Sequence, residues 1–245
     1  RYHEIYVQSL SYQEFLLFHE LEDNDDALSK YINYGGLPGL KQVGLDDEEF
    51  VWDYIRAVFH TVMLKDIVER NNIRNVSFLN TLLRYFADTI GKLSSLNNIS
   101  KFMKSQGLDV SVKSIAAYLN YFRDAYLLLT VDRFDIHGKK LLESNEKIYF
   151  GDVGLRNLIA GGERQGDIEK ILENIVYQQL VRMGYAVSVG QLRAGEVDFV
   201  CTKSNERLYV QVAYLIASEE TEEREFGSLD NIKDNYPKYV ISVSP

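Results

Sequence analysis

The feature that most constrains the fold is a series of three helix-like segments between residues 75 and 125. Residues 75–92 are amphipathic, and the short segment after them is closed by Gly107, because glycine commonly ends a helix. Ser111 is suited to cap the start of the third segment. The apolar positions of that segment recur with helical spacing and predict a buried stripe of Val112, Ile115, Ala116, Leu119 and Phe122. Three consecutive helices are therefore expected.

Two strand-like runs follow the third helix. They are YLLLTVDRFD and KIYFGD, and the polar stretch between them predicts the turn of a β-hairpin. Three helices followed by a hairpin is the order found in winged-helix domains. Such a domain would present the exposed face of its third helix and its hairpin turn to duplex DNA, and the candidate contact residues are Lys113, Ser114, Tyr118, Tyr121, Lys139 and Lys140.

Charge is distributed unevenly along the chain. The 245 residues include 27 Lys and Arg and 36 Asp and Glu, a net charge of −9, which as an average disfavours nucleic-acid binding. Residues 72–150 hold eleven basic and seven acidic residues, a net of +4, whereas residues 1–71 sum to −8 and residues 167–245 to −5. Any contact with nucleic acid is therefore expected within residues 72–150.

The N-terminal part combines a start signal for a helix with a glycine loop. Residues 2–8 predict a strand, and Ser11 with Glu14 three residues later has the spacing of a capping box. The loop YINYGGLPGL lacks the Gly-Lys-Ser/Thr ending of a phosphate-binding loop. A tight turn is therefore favoured over phosphate binding there.

The last 79 residues predict an α/β unit. An amphipathic helix closed by Gly184 is followed by the strand-like runs YAVSVG, EVDFVCT and LYVQVAYLI. Strict alternation in the second run would place Glu196 and Asp198 on one face and Val197 and Phe199 on the other. Two carboxylates on one face of a strand are unusual, so this pair is a candidate site.

This arrangement resembles the restriction-endonuclease-like nuclease fold. Its members typically hold Mg²⁺ between an Asp on one strand and a Glu on the next, and a Lys two residues further orients the attacking water. By this resemblance Asp198 matches the first metal carboxylate and Glu173 an acid on the preceding helix. Because hard cations prefer oxygen ligands, the resemblance makes Asp198 and Glu196 candidate metal ligands. Gln211 and Ala213 stand where the Glu and the Lys would be, so the resemblance implies a degenerate active site.

Two alternatives stay open for these residues. They could be outward-facing residues of a half-exposed sheet, or a working nuclease that uses Glu173, Glu196 and Asp198 with another base.

The order of four motifs extends the resemblance over essentially all of the chain. RYHEIYVQSLSYQEFLLF, YINYGGLPGL, KIYFGDVGLRNLI and LENIVYQQLVRMGY together resemble the C-terminal region of a bacterial and archaeal family of AAA-like P-loop ATPases. The resemblance implies an upstream domain that binds ATP and Mg²⁺, then a winged helix and a restriction-endonuclease-like tail. The start at Arg1 rather than Met is interpreted as the start of a fragment, and GxxxxGK[ST] does not occur in these 245 residues.

The predicted fold is thus mixed α and β in three parts. Residues 1–71 form a helical linker region, residues 72–166 a winged-helix domain and residues 167–245 a restriction-endonuclease-like α/β domain. The predicted function is a non-catalytic module that regulates its own upstream ATPase domain, with double-stranded DNA as a candidate partner. The alternatives are a metal-dependent nuclease and a protein-interaction or self-association module.

Composition adds three expectations. No apolar run approaches the roughly 20 residues of a membrane span, so a cytoplasmic protein is expected. One cysteine, Cys201, excludes a disulfide framework. The four histidines are isolated in the sequence, which disfavours a zinc site.

Overall fold

A computed structural model describes residues 6–162, 165–193, 195–216 and 226–243. Within these ranges the chain forms two compact units. The first, the helical unit, comprises residues 6–88, 121–128 and 150–162, and the second, the sheet unit, comprises the other described residues. The fold is mixed α and β, as predicted.

The described helices follow the predicted order. They are α1 (Tyr12–His19), α2 (Asp25–Tyr34), α3 (Leu40–Val43), α4 (Glu48–Thr61), α5 (Val76–Asp88), α6 (Leu96–Ser105), α7 (Val112–Asp124), α8 (Val153–Ala160) and α9 (Ile168–Arg182). A π-helical segment, Val62–Glu69, continues α4, and a 3₁₀ turn, Gln165–Asp167, precedes α9. The capping box of Ser11 and Glu14 is present at the start of α1.

Helix α8 lies at the centre of the helical unit, where it packs against α2, α4 and α5. Asp152 caps its start by accepting hydrogen bonds from the backbone N–H groups of Gly154 and Leu155, at 2.9 and 3.2 Å. The other oxygen of the same buried carboxylate accepts from the N–H of Gly36 at 2.9 Å. A Cβ on Gly36 would lie 2.2 Å from the carbonyl oxygen of Leu10, so this position requires glycine. The glycine loop is therefore a packing turn in this structure.

Two further polar side chains of α8 complete the ends of neighbouring helices. Arg156 is fully buried and donates two hydrogen bonds, at 3.0 and 2.8 Å, to the carbonyl of Ala87 in the last turn of α5. Asn157 donates from Nδ2 to the carbonyls of Ile32 and Asn33 in the last turn of α2, at 2.9 and 3.0 Å. Carbonyls in a last turn have no partner within their own helix, so α8 satisfies them from outside.

The sheet unit contains seven described strands in one mixed sheet. They are β1 (Leu93–Ser94), β2 (Leu128–Asp135), β3 (Lys140–Phe150), β4 (Ala186–Gln191), β5 (Glu196–Lys203), β6 (Glu206–Val212) and β7 (Lys238–Ile241). Their order across the sheet is β1-β3-β2-β4-β5-β6-β7. The β2–β4 and β6–β7 pairs are parallel, and β4–β5–β6 is an antiparallel meander.

The hairpin strands and the tail strands share this sheet, which the sequence did not predict. Strand β2 pairs with β4 through Arg133–Val189 and the two residues that follow on each strand. The order α5, α6, α7, β2, β3 matches the predicted three helices and hairpin. The winged-helix assignment itself and the three-part division at residues 71 and 166 stay predictions.

Two local expectations were wrong. A strand was expected at residues 2–8, but residues 6–8 are not part of a strand. Residues 2–5 lie outside the described ranges. In α7, Ile115, Leu119 and Phe122 are buried as predicted. Ala116, also predicted to be buried, is half-buried, and Val112 is 36% exposed because it lies in the first turn, at the edge of the packed stripe. No helix in the described ranges combines the length and apolar character needed to cross a bilayer.

Replacing Asp152 with alanine should destabilise the helical unit by about 3 kcal/mol or more. The change leaves three buried N–H groups without their acceptor, and each costs about 1–3 kcal/mol. Urea denaturation measures the loss, and Asp124→Ala, at an exposed position on α7, is the control that should change stability little. Equal stability of the two variants would contradict this account of α8.

Candidate functional site

Six polar side chains come together in the sheet unit. They form what we call the Lys147 cluster, which consists of Lys147, Tyr149, Lys170, Glu173, Glu196 and Asp198. Strand β3 contributes two of them, α9 two and β5 two. The structure therefore brings the predicted acids Glu173, Glu196 and Asp198 together around a lysine from the hairpin.

The ammonium group of Lys147 lies among the three carboxylates. Its Nζ is 2.7 Å from Oε1 of Glu173, 2.8 Å from Oε1 of Glu196 and 3.5 Å from Oδ1 of Asp198. The Lys147 side chain has no exposed surface, whereas the Glu196 side chain is 35% exposed. Solvent therefore reaches the cluster on the Glu196 side.

Strand geometry explains why Lys147 and Tyr149 act on the same group. Residues two apart on a strand face the same way, and both side chains donate to Oε1 of Glu173. The Tyr149 ring stacks on Tyr177 of α9 with the ring centroids 5.0 Å apart, and it contacts Phe199 of β5 at 6.1 Å. This aromatic layer excludes water from one side of the cluster.

Glu173 has one more ion-pair partner, and a glycine leaves room for it. Lys170, one turn earlier on α9, donates to its other oxygen, Oε2. Gly91 lies close above: a Cβ there would be 2.9 Å from Cδ of Lys170 and 3.5 Å from Oε2 of Glu173. Because Gly91 also has a φ of +67°, any side chain at this position would both strain the backbone and crowd the cluster.

A β-bulge turns Phe199 toward the side of β5 on which Asp198 lies. Strand β4 pairs Ser188 with Val200 and Gly190 with Val197, so one residue of β4 faces two residues of β5, Asp198 and Phe199. The strict alternation expected for this strand was therefore wrong. Val197 packs in the apolar core with Ile136 and Val200, but Phe199 contacts Tyr149, on the side where Asp198 meets Lys147.

Gln211 of the second predicted motif makes a structural contact with Asp198, and neither Gln211 nor Ala213 supplies a catalytic group. Oε1 of Gln211 accepts a hydrogen bond from the backbone N–H of Asp198 at 3.2 Å. Oδ2 of Asp198 accepts from the N–H of Val212 at 2.9 Å. Ala213 is buried, and its methyl group can neither donate a proton nor stabilise an anion. Gln211 thus holds the backbone of Asp198, and the neighbouring N–H of Val212 holds its carboxylate.

The protonation states follow from burial and from the opposing charges. Burial lowers the pKa of Lys147, but the carboxylates of Glu173, Asp198 and Glu196 together raise it by more than burial lowers it. The pKa therefore lies above its ordinary value. Burial raises the pKa of Glu173, and Lys147 and Lys170 together bring it below its ordinary value. Burial and the Glu173 charge raise the pKa of Asp198 to about 6. At neutral pH Lys147 is therefore protonated, and Glu173 and Asp198 are ionised.

These residues do not fit a bound Mg²⁺ ion. The oxygens of Glu173, Glu196 and Asp198 that converge are already paired with the Lys147 ammonium, and a divalent ion at the same position would meet a positive charge. The described ranges contain no group of three or more His, Cys, Asp or Glu side chains able to hold a metal ion.

The candidate DNA-contact residues lie elsewhere, on α7 and the β2–β3 turn. Lys113, Lys139 and Lys140 are exposed. Ser114 is half-buried, and its hydroxyl is 2.9 Å from that of Ser111. Tyr118 and Tyr121 are half-buried and have partners within the protein, so they are less available for base stacking than expected. Of the predicted DNA-contact surface, the exposed positive charges of the three lysines are therefore present.

Lys147, Tyr149 and Lys170 were not predicted as site residues from the sequence. The available signal was a lysine at the start of an apolar run, KIYF, where an unpaired charge would be buried at high cost. The predicted boundary between the hairpin and the tail concealed it, because the lysine and its acids come from different sides of that boundary.

Comparison with known proteins gives a family. The family described as "Domain of unknown function (DUF8612)" matches residues 25–166, more than half of the chain, and the chain belongs to this family.

Two relatives extend the similarity beyond the family match. An uncharacterized protein of Haemophilus influenzae is 35% identical over 246 residues, which cover 99% of this chain and 60% of that protein. An uncharacterized protein of Methanocaldococcus jannaschii is 29% identical over 213 residues, which cover 84% of this chain and 46% of that protein. The chain thus spans about half the length of the curated relatives it matches.

The pKa of Asp198 predicts an unusual pH dependence of stability. The native pKa of about 6 lies above the ordinary 3.8, so the native state binds this proton more tightly than the unfolded state. The stabilisation is complete below about pH 4 and is lost as the pH rises through 6. Two pKa units correspond to about 3 kcal/mol.

Between about pH 4 and pH 7 the free energy of unfolding of the wild type should therefore fall by about 3 kcal/mol relative to that of Asp198→Asn. Urea denaturation across this pH range measures the difference, and Asp132→Asn, at an exposed position on β2, should run parallel to the wild type. Parallel curves for Asp198→Asn as well would show that its pKa is not raised.

Proposed function

We propose that the sheet unit is a non-catalytic, nuclease-like module and that the chain is the regulatory, C-terminal part of a larger AAA-like ATPase. The observation that carries the proposal is the Lys147 ammonium among Glu173, Glu196 and Asp198. A nuclease of the proposed class would use such acids to bind a metal ion. Here a covalently attached ammonium occupies the position between them instead.

The geometry of the proposed reaction centre supports the same interpretation. A metal-dependent hydrolase needs an open coordination position and a group that lowers the pKa of the attacking water. Lys147 is occupied by carboxylates and its pKa is raised, so it stays protonated and cannot act as a base. Gln211 and Ala213 supply neither a charged ligand nor a proton donor. The acids therefore act as counter-ions that fix three elements of the sheet unit together.

The ATPase part of the proposal depends on the motif order and on length. Both relatives are substantially longer than this chain, which is consistent with a further domain in the parent protein. The proposed role of the chain is then to transmit nucleotide-dependent movements of that domain. A protein-interaction or self-association module is the alternative that needs no nucleotide.

Removal of the lysine should convert the cluster into a metal-responsive one. In Lys147→Ala, three carboxylates remain together without their ammonium, and we expect Mn²⁺ to stabilise this variant by about 3 kcal/mol at a concentration of about a hundred times its dissociation constant. The wild type and Lys140→Ala, which removes an exposed lysine of the same strand, should show no such gain. Thermal unfolding with Mn²⁺ and with a chelator gives the comparison.

The same preparations test for nuclease activity. We expect the wild type not to cleave plasmid DNA with Mg²⁺ or Mn²⁺. Metal-dependent cleavage that disappears in Asp198→Asn, or equal stabilisation of wild type and variant by Mn²⁺, would sink the proposal of a non-catalytic module.

DNA binding is a second candidate function, favoured by one observation. Lys113 and Lys140 are exposed and have no ion pair with any described residue, in a segment whose net charge is +4. Exposed lysines of this kind contact phosphates and release counterions, which makes affinity depend on salt.

A salt titration with a labelled duplex tests this candidate. If DNA binds at residues 72–150, Lys113→Glu combined with Lys140→Glu should lower the log–log salt slope by roughly two and weaken binding about tenfold or more. Lys65→Glu, an exposed change outside this segment, should leave the slope unaltered. A slope near zero for the wild type would count against DNA binding altogether.

A further inference from the structure

A second polar feature of the sheet unit lies away from the Lys147 cluster. It is a cleft of about 550 Å³ formed by the β2–β3 turn, the β4–β5 turn and the segment before β7. This volume lies within the range of small-molecule sites, roughly 300–1,000 Å³. The residues that line it are Ile136, His137, Lys139, Leu192, Arg193, Asn231, Ile232, Lys233 and Asp234.

The rim of the cleft is cationic. Lys139, Arg193 and Lys233 come from three different segments, all are exposed, and in the described ranges none of them has an ion pair. Asp234 also lines the cleft, but its carboxylate accepts from the hydroxyl of Tyr209 at 2.6 Å and lies 3.8 Å from Nζ of Lys238. Three cations therefore surround the cleft with one anion, which is already engaged.

The floor is aliphatic and rigid. Ile136, Leu192 and Ile232 are at least nine-tenths buried and belong to the core cluster that also contains Val197 and Tyr209. The backbone N–H of Ile136 donates to the carbonyl of Gln191 at 3.1 Å, so the two turns are joined directly. The β2–β3 turn is further fixed by Asp135, which accepts from the N–H groups of His137 and Gly138.

From this arrangement we propose that the cleft binds a phosphate-bearing small molecule whose ring lies on the aliphatic floor. The three cations supply charge-assisted hydrogen bonds for phosphate oxygens, and Arg193 can offer two of them in parallel. Ile136, Leu192 and Ile232 line the apolar part of the cleft, against which a planar ring would lie. Because the walls are held by backbone hydrogen bonds, the ligand binds to a preformed site.

Titration calorimetry with the full 245-residue chain at low salt tests the proposal. ADP is the probe that carries both parts of the ligand, and pyrophosphate carries the phosphates alone. We expect ADP to bind, pyrophosphate to bind more weakly, and Arg193→Glu combined with Lys233→Glu to weaken ADP binding about tenfold or more. Lys101→Glu, an exposed charge reversal on α6, should leave the affinity within about twofold of wild type.

Each other outcome overturns a defined part of the inference. No binding of ADP at millimolar concentration, or binding unaffected by the double variant, rejects the cleft as a phosphate site. Equal affinity for ADP and pyrophosphate rejects the proposed contact between the ligand ring and the aliphatic floor. Binding of a short duplex in place of ADP, lost in the same double variant, assigns the cations to a nucleic-acid backbone and overturns the small-molecule proposal. Arg193→Lys with Lys233→Arg keeps the charge and shows that the chain tolerates change at both positions.

Discussion

The burial of one ammonium group sets the arrangement of the sheet unit. By an idealised Born estimate, moving such an ion from water into a dry interior costs on the order of 20 kcal/mol, and several kcal/mol remain after the protein relaxes. Lys147 offsets this cost only if its carboxylate partners are in place. Those partners come from α9 and β5, so three elements distant in sequence have to meet for any of them to be stable. The charge cluster therefore specifies which strand lies beside which helix.

In the helical unit, the buried groups that need partners are neutral backbone carbonyl and N–H groups. The last turns of α2 and α5 end inside the unit, where the hydrogen bonds to the carbonyls of Ile32 and Ala87 are buried. Arg156 and Asn157 of α8 donate to those carbonyls, and Asp152 accepts from the glycine turn. These residues lie in the motifs YINYGG and GDVGLRN, both within the range that matches the family. These two motifs of the resemblance are thus explained by packing, and they say little about chemistry.

The extent to which the fold could be predicted depends on the range of the interactions. The Ser11 capping box, the buried residues Ile115, Leu119 and Phe122 of α7 and the helix-to-hairpin order follow from local periodicity and capping, and all are present. The bulge at Asp198 and Phe199 could not be predicted, because it depends on the register with β4. The role of Lys147 was missed for the same reason: its partners are 26 to 51 residues away along the chain. The predicted acids were grouped correctly, but the cation that determines their chemistry was not among them.

A fixed ammonium differs from a metal ion in one respect that bears on regulation. A metal site empties and fills with the concentration of the ion, so it couples the structure around it to the surroundings. Lys147 is attached to β3 and its pKa is raised, so at constant pH its charge is permanent. The cluster therefore stabilises the sheet unit but does not respond to ligands. Within the sheet unit, our proposal places an exchangeable ligand at the cleft of Lys139, Arg193 and Lys233, whose side chains are exposed and have no ion pair in the described ranges. On this proposal, structural and responsive roles are separated within the same sheet unit.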